Sequence, residues 1–172
     1  MLGKKKYFNE IKLLMNMEKN AVELDKLDFA ILSFLQKDGR MSFTVMAKKL
    51  KVSIGTIRTR FNNLVKEGTV SIVGRVIPEK VGFHSYAHID IHIRPATLKE
   101  TVARKIARLP EISFLALTSG DYDLEVDVMC RDHDHLVQFV EKISKLHGVD
   151  QIKTTIYLKV YKYAQPDLTL LS

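Results

Sequence analysis

The sequence predicts an α+β protein with an N-terminal helix-turn-helix (winged-helix-like) domain and a C-terminal ferredoxin-like βαββαβ domain. Three observations predict this fold class. Three short helical patterns follow one another within residues 23–69. The second half has strand and helix patterns in the order β-α-β-β-α-β. The excess positive charge is confined to the first half, so the two halves differ in character as well as in pattern.

The composition is that of a globular protein with a sizeable core. Of its 172 residues, 46% are hydrophobic. The longest apolar runs are far shorter than the roughly 18 residues that a membrane span needs, so no membrane partner is predicted. The single cysteine, Cys130, excludes an intrachain disulfide framework. A reducing compartment fits this cysteine usage, and a cytoplasmic location is predicted.

The net charge of +7 is unevenly divided. Residues 1–82 carry 16 Lys and Arg against 8 Asp and Glu, whereas residues 83–172 carry 11 against 12. A basic half beside a near-neutral half predicts one module for a polyanion and one for another role. A soluble protein whose charges happen to be uneven is the alternative.

Residues 1–22, which contain three consecutive lysines, are interpreted as a basic N-terminal arm or extension. The first helix of the 23–69 domain has apolar residues at helical intervals and is predicted to stop at Gly39. A second helix is predicted to begin after Ser42 as its cap. Because only "KVS" separates it from the third, these two helices match a helix-turn-helix.

The third helix is predicted over residues 53–67, with Ser53 as N-cap and Gly68 as the glycine that ends it. The predicted buried side consists of Ile54, Ile57, Phe61, Leu64 and Val65; the exposed side has Thr56, Thr59, Asn63 and Lys66, with Arg58 and Arg60 at its shoulders. The exposed side has no carboxylate before Glu67, whereas a solvated surface helix normally mixes signs. This face is therefore either an unusual solvated face or a surface for a polyanion.

Residues 70–82 are predicted to be a wing and linker. Apolar residues on both sides of Gly74-Arg75 predict a small hairpin or extended wing; they are Val70, Ile72, Val76 and Ile77. Pro78 and Gly82 then mark the linker.

Residues 83–172 are predicted to form the ferredoxin-like domain. Its two helices would cover one face of the sheet and leave the other open. Thr97 and Glu100 predict a capping box on the first of these helices. The open face is predicted to carry His88, Asp90, Glu125, Asp127, Lys153, Tyr157 and Lys159. Opposite charges there would pair across strands or across a subunit interface, or the face would simply meet water.

Three histidines suggest a metal site only if they lie on a helix. His84, His88 and His92 are four residues apart. On a strand, at about 3.3 Å per residue, each histidine stands roughly 13 Å from the next, so the three cannot share one ion. Because this stretch alternates as a strand does, no metal site is predicted, and no cofactor.

The turn "TSGDYD", residues 118–123, has two interpretations. As structure, Gly120 permits a tight turn whose backbone an aspartate stabilises. As a site, its amides and carboxylates would bind the ammonium and carboxylate groups of an amino acid; the residues concerned are Ser119, Gly120, Asp121, Tyr122 and Asp123.

The chain resembles the leucine-responsive regulatory protein (Lrp/AsnC, feast/famine) family of transcription regulators over residues 23–165. The motifs that carry the resemblance occur in the family's order: "LDKLDFAILSFLQKDGRMSF", "VSIGTIRTRFNNLVKEGTV", "GRVIPEKVGF", "TSGDYDL" and "LHGVDQIKTTIYL". None is specific alone, but five with matching spacing are strong together. The leader of 22 residues departs from the family's usual short start.

The resemblance implies a sequence-specific regulator that binds double-stranded DNA. Its third helix would be the recognition helix, with DNA contacts from Ser53, Thr56, Arg58, Thr59, Arg60, Asn63 and Lys66, of which Arg58, Thr59 and Arg60 come first. It also implies a homodimer formed through the open sheet face, further assembly into octamers, and an amino-acid effector near residues 118–123, between dimers. Effector binding and DNA binding would then be linked through the state of assembly.

Two other functions remain open at this point. Siroheme decarboxylases use a similar two-domain scaffold, but the turn before the second helix here lacks their Arg-Pro signature, and the excess charge lies on the helix-turn-helix half. We therefore predict that the protein is not an enzyme. An amino-acid sensor that does not bind DNA is the other alternative.

Overall fold

The computed structural model describes residues 23–163 and 166–171, which form two compact units. The described part of the first unit comprises residues 23–75 and 166–171, and the second unit is Val76–Tyr163. The predicted arm, residues 1–22, lies outside the described residues. None of the helices in the described ranges is long and apolar enough to cross a membrane.

The first unit contains three helices: α1 (Lys26–Lys37), α2 (Phe43–Leu50) and α3 (Ile54–Lys66). The predicted caps of α2 and α3 are confirmed, because the Ser42 and Ser53 hydroxyls accept hydrogen bonds from backbone N–H groups three residues on. At the start of α1, the Asp25 and Asp28 carboxylates each accept from the other's backbone N–H and form a capping box.

The helices of the first unit enclose a small apolar core. Its buried members are Ile31, Leu32, Leu35, Met46, Ala47, Ile57 and Leu64. The rings of Phe43 and Phe61, with centroids 5.1 Å apart, close one side of it. The C-terminal segment also lies here: Leu168 packs against this core, and the Gln36 side-chain amide donates to the Pro166 carbonyl. Residues 166–171 therefore belong with the helical unit, although the sequence division placed them with the ferredoxin-like domain.

The hairpin predicted around Gly74-Arg75 does not form. Residues 70–77 are neither helix nor strand, and a short 3₁₀ turn follows at Pro78–Val81. Of the apolar residues that suggested strands, Val70 is half-buried against the three-helix core, whereas Ile72, Val76 and Ile77 are exposed, Val76 to 61%. The hairpin alternative was therefore wrong, because most of its apolar side chains have no core to cover them.

The second unit has the predicted βαββαβ order: β1 (Ser85–Ile93), α4 (Lys99–Ile106), β2 (Ile112–Leu117), β3 (Leu124–Cys130), α5 (His133–Ser144) and β4 (Val149–Ile156). The strands form one antiparallel sheet in the order β2-β3-β1-β4. Both helices pack on the face that presents the alternate, fully buried residues of β1, namely Ala87, Ile89, Ile91 and Ile93. The ferredoxin-like prediction and its buried face are confirmed.

Local details of the second unit differ from the sequence predictions. A 3₁₀ turn, Ala96–Leu98, precedes α4, and the residue at the N-cap position, Leu98, makes no side-chain cap bond. The predicted capping box of Thr97 and Glu100 is therefore wrong, because the turn takes up the residue that would have capped the helix. Helix α5 is capped by Asp132, whose carboxylate accepts from the His135 N–H.

Candidate functional sites

Helix α3 buries a narrower stripe than its sequence predicts. Ile57 and Leu64 are buried, but Ile54 and Val65 are 43% and 44% exposed. The buried stripe is therefore centred on Ile57 and Leu64, and the opposite face is centred on the residues at i, i+4 and i+7 from Gly55. With Gly55 as i, the residues at i+4 and i+7 are Thr59 and Asn62, and Lys66 follows at i+11; all three are exposed.

The residues predicted to contact DNA divide into two groups around this face. Ser53, Arg58, Thr59, Asn63 and Lys66 are exposed, whereas Thr56 and Arg60 are half-buried. The Thr56 hydroxyl lies 2.9 Å from that of Ser53, so the two make a local pair at the start of the helix.

Arg60 is held by two carboxylates of the first helix region. Its Nη1 lies 2.7 Å from Asp25 Oδ2 and 2.9 Å from Asp28 Oδ2. The hydrogen bond to Asp25 and the charge of Asp28 raise the pKa of the Arg60 guanidinium. The Asp28 backbone N–H and, after it, Arg60 lower the pKa of the Asp25 carboxyl. This pairing opposes the predicted role of Arg60 as a DNA contact, because the guanidinium is already neutralised by a neighbouring element.

Asn63 lies on the same acidic side of α3. Together with Arg60 it lines a cleft of about 140 Å³ whose wall also contains the carboxylates of Glu23, Asp28 and Glu67. Such a surface repels phosphates. Asn63 stays an exposed candidate, as predicted. Asn62, which was not among the predicted residues, is also exposed and follows Arg58 by one helical turn. The assumed buried stripe was wider than the observed one, so the predicted exposed face was centred closer to Asn63.

The remaining exposed cations of the helix-turn-helix have no carboxylate partner within the described residues. Arg58 and Lys66 on α3, and Lys48 and Lys51 at the end of α2, take part in none of the ion pairs of residues 23–163 and 166–171. Lys49 lies over the Phe34 ring, with Nζ 5.4 Å from the ring centroid. This part of the first unit therefore presents uncompensated positive charge beside short polar side chains.

The 118–123 turn in the second unit is organised by Asp123. This carboxylate is buried, accepts from the Ile93 N–H at 2.7 Å, and lies 2.5 Å from Lys99 Nζ and 3.0 Å from His92 Nδ1. The hydrogen bond from Lys99 is the main reason that the pKa of Asp123 is lowered. Asp123 thus joins the turn to the end of β1 and the start of α4.

The other residues predicted in this turn are more accessible. Ser119, Gly120 and Asp121 are exposed, and Tyr122 is half-buried with its carbonyl accepting from the Thr118 hydroxyl at 2.6 Å. The five predicted residues therefore split into one structural carboxylate and an accessible turn.

The open face of the sheet carries His88, Asp90, Glu125, Asp127 and Lys153 of the predicted polar set, and several of them pair with each other. Lys159 follows the end of β4 and lies over the Tyr161 ring, with Nζ 4.8 Å from its centroid. His88 lies between two carboxylates, with Nδ1 2.9 Å from Asp127 Oδ1 and Nε2 3.1 Å from Asp90 Oδ1. Burial lowers the pKa of His88, but the bonds to Asp127 and Asp90 outweigh it and the pKa is raised. The Tyr157 hydroxyl donates to Asp127 Oδ1 at 3.0 Å.

Comparison with known proteins agrees with this architecture. Residues 24–71 match a family model for winged helix-turn-helix DNA-binding domains, and residues 86–167 match the Lrp/AsnC ligand-binding domain. An uncharacterized HTH-type transcriptional regulator of Pyrococcus horikoshii is 37% identical over 83% of this chain and 90% of its own length. The HTH-type transcriptional regulator Ptr1 of Methanocaldococcus jannaschii is 33% identical over 81% of this chain and 95% of its own.

Solved structures give the same result. Escherichia coli AsnC superposes with a TM-score of 0.77 at 26% identity, covering 83% of this chain and 97% of that one. A Neisseria meningitidis transcriptional regulator in complex with L-Met has the same TM-score and identity and covers 87% of this chain and 99% of its own.

A helix-turn-helix followed by a βαββαβ ligand-binding domain defines a transcription regulator with one DNA-binding and one effector-binding part. The chain belongs to the Lrp/AsnC family of such regulators. Its relatives are named as regulators and not as enzymes, which agrees with the prediction against the decarboxylase alternative.

Proposed function

We propose that α3 binds the major groove of duplex DNA through the face of Arg58, Thr59, Asn62 and Lys66. The observation that carries this proposal is that Arg58 and Lys66 have no carboxylate partner within the described residues, whereas Arg60, on the other side, has two. Arg58 has the reach and donor geometry for phosphate or a guanine edge. Ser53 and Thr56 lie at the helix start, where backbone N–H groups favour a phosphate.

The test is a gel shift with DNA from upstream of the protein's own gene, over a salt series. Arg58→Ala should weaken specific binding by about 1–3 kcal/mol. Arg104→Ala removes the same charge from an exposed side chain of α4 that pairs with Glu100, and should leave binding unchanged. Equal losses in both variants would show only a net-charge effect and would contradict the proposal. Ligand binding without any retardation of DNA would instead favour an amino-acid sensor.

Binding to chromosomal DNA would place the protein in the cytoplasm, and reading two half-sites would need a dimer. Two recognition helices on one face of a duplex sit about 34 Å apart, which a twofold dimer supplies. We propose the open sheet face as the dimer interface, with octamers as a higher state. Phe114, 53% exposed and opposite Asp127 in the β2–β3 register, supplies an apolar anchor there.

The interface is tested by light scattering after size exclusion. Phe114→Glu should lower the measured mass toward that of the monomer. Leu117→Glu is the matched control: Leu117 is 61% exposed on the same strand but opposite Leu124, on the helix-covered side. If Phe114→Glu leaves the measured mass unchanged, the dimer interface lies on another surface.

We further propose that an amino acid binds beside the 118–123 turn. The accessible residues there are Ser119, Gly120, Asp121 and Tyr122, and Asp123 holds the turn in place. The Neisseria meningitidis relative was solved with L-Met, so L-Met is the first probe, followed by the other L-amino acids. Calorimetry should show binding that Asp121→Asn weakens and that Asp134→Asn, an exposed carboxylate of α5, does not. Binding unaffected by Asp121→Asn would place the effector elsewhere.

A further inference from the structure

The centre of the open sheet face brings together a histidine and two carboxylates from adjacent strands. His88 and Asp90 lie on β1, and Glu125 lies on β3. One donor atom from each lies within 4.8 Å of the others. We call these three residues the His88 cluster. All three are half-buried.

The strand register forces two of these carboxylates to face each other. Asp90 of β1 is directly opposite Glu125 of β3, and like charges in that position are destabilising. On its other side Asp90 is opposite Lys153, but Lys153 Nζ is 3.9 Å from Asp90 Oδ2 and its side chain is 62% exposed. Such an exposed, long contact compensates little. The only close cationic partner of Asp90 is the His88 imidazole at 3.1 Å, and Glu125 takes part in none of the ion pairs of the described residues, so a bound cation would offset the remaining negative charge.

The geometry of His88 is that of a histidine prepared to ligate through Nε2. Its Nδ1 lies 2.9 Å from Asp127 Oδ1, and metal-binding histidines usually donate their other N–H to such a carboxylate. Burial, and the bond to Asp127 after it, raise the pKa of Tyr157 to about 12, so its hydroxyl keeps the proton that it donates to the same Asp127 oxygen. Asp127 is thus fixed from a second side.

The distance across the cluster also suits a small ion. His88 Nε2 is 3.1 Å from Asp90 Oδ1. Ligand atoms around a tetrahedral ion with bonds of about 2.0–2.1 Å are separated by about 3.3 Å. The Glu125 oxygen lies within 4.8 Å of the other two donor atoms, and a change of rotamer of this half-buried side chain would bring it to the ligand separation.

We propose that the His88 cluster binds one divalent transition-metal ion through His88 Nε2, Asp90 and Glu125, with Asp127 orienting the imidazole and the remaining coordination position facing the partner copy of the proposed dimer. One imidazole and two carboxylates suit ions such as Zn²⁺ and Mn²⁺ better than Ca²⁺, which takes six to eight oxygen ligands.

This site is distinct from the three-histidine arrangement that strand spacing excludes. His84, His88 and His92 follow one strand and stay too far apart to share an ion. The additional ligands come from a neighbour on the same strand face and from the adjacent strand, which only the register brings together. The proposal does not rest on DNA binding and is tested separately from it.

The experiment measures Zn²⁺ binding to the full chain by calorimetry after treatment with a chelator, with Co²⁺ absorption as an independent probe. We expect one ion per chain and visible Co²⁺ bands. His88→Gln and Glu125→Gln should each lower the affinity at least tenfold, and Asp127→Asn should lower it about 10–100-fold. His84→Gln and Asp134→Asn change exposed residues of the same unit and should leave it unchanged.

Three results would overturn the proposal. The first is the absence of both a Zn²⁺ isotherm and Co²⁺ bands in the unmodified chain, which would leave His88 as an imidazolium between two carboxylates. The second is an affinity that His88→Gln does not change while circular dichroism shows the variant folded. The third is Ca²⁺ binding as tight as Zn²⁺ binding, which would indicate a non-specific acidic surface.

Discussion

Arg60 Nη1 lies 2.9 Å from Asp28 Oδ2, which ties the third helix of the first unit to the first helix across 32 sequence positions. Asp28 is only 6% exposed, so without this partner a buried carboxylate would lack its ion pair. The same guanidinium reaches Asp25, the cap of α1. Arg60 therefore orients the helix that presents Arg58 and Thr59, and it does so without facing the proposed DNA surface.

The first prediction separates positioning from contact on α3. Arg60→Ala should lower the midpoint of thermal unfolding and weaken binding to all DNA sequences, because it leaves Asp28 buried without its partner. Arg58→Ala should leave the midpoint unchanged and lower specific binding more than non-specific binding. An Arg60→Ala variant with wild-type unfolding and a selective loss of specificity would show that Arg60 reads DNA directly.

The second prediction concerns pH. The pKa of Asp25 is lowered in the folded chain, chiefly by the Asp28 N–H and then by Arg60. A lowered carboxyl pKa contributes stability that is fully present above the unfolded pKa and is lost as the pH falls through the folded value. The midpoint difference between wild type and Asp25→Asn should therefore be constant near neutral pH and close in acid. Asp134→Asn in the second unit is the charge control, and a difference that persisted in acid would contradict this assignment.

The third prediction tests the two roles of Ser53. Ser53→Asp should keep the N-cap of α3, since Asp and Ser cap helices about equally well. The added charge should weaken DNA binding by roughly tenfold if a phosphate approaches this helix start. Ser42→Asp makes the same change at the cap of α2 and gives the comparison. Unchanged DNA binding in Ser53→Asp would show that Ser53 acts only as a helix cap.

The fourth prediction concerns the approach of Gly148 to α4. Gly148 has φ +100°, and a Cβ there would lie 2.9 Å from Leu98 Cδ1 and 3.2 Å from Val102 Cγ2. Gly82 has a similar φ of +95° with nothing within 4 Å. Gly82→Ala should cost about 1 kcal/mol from the backbone conformation alone, and Gly148→Ala about 1–3 kcal/mol more from the clash. Urea unfolding gives both values, and equal costs would show that the packing adjusts freely.

The fifth prediction distinguishes the two aspartates of the 118–123 turn. Asp123→Ala should destabilise the chain by about 1–3 kcal/mol, because the buried Ile93 N–H loses its acceptor. Asp121→Ala, at an exposed position, should change stability by no more than about 0.5 kcal/mol. Urea unfolding of both variants is the measurement. A stable Asp123→Ala chain would leave Asp123 free for a role in ligand binding.

The sequence predicted the elements well and their side-chain partners poorly. Periodicity located α3 and its caps, but the centre of its buried stripe depends on how it packs against two other helices. Ile54 and Val65 fit the helical period and are nevertheless 43% and 44% exposed. The helix does have an exposed polar face, as predicted, but the centre of that face is rotated about the helix axis relative to the prediction.

Charge patterns could not show which cations are already paired. Arg58 and Arg60 are equivalent in the local sequence, and only the fold brings Asp28 to one of them. The same holds on the sheet, where the alternation of β1 predicted its open face correctly. That Asp90 lies opposite Glu125 follows from the register between β1 and β3, which no local pattern contains.

The C-terminal segment has a practical consequence for handling this protein. Because Leu168 packs on the three-helix core and Gln36 donates to Pro166, a fragment that stops at residue 75 would lose part of the cover of its own apolar interior. An isolated helix-turn-helix unit is therefore better made by joining residues 166–171 to residues 23–75 than by truncating the chain after residue 75.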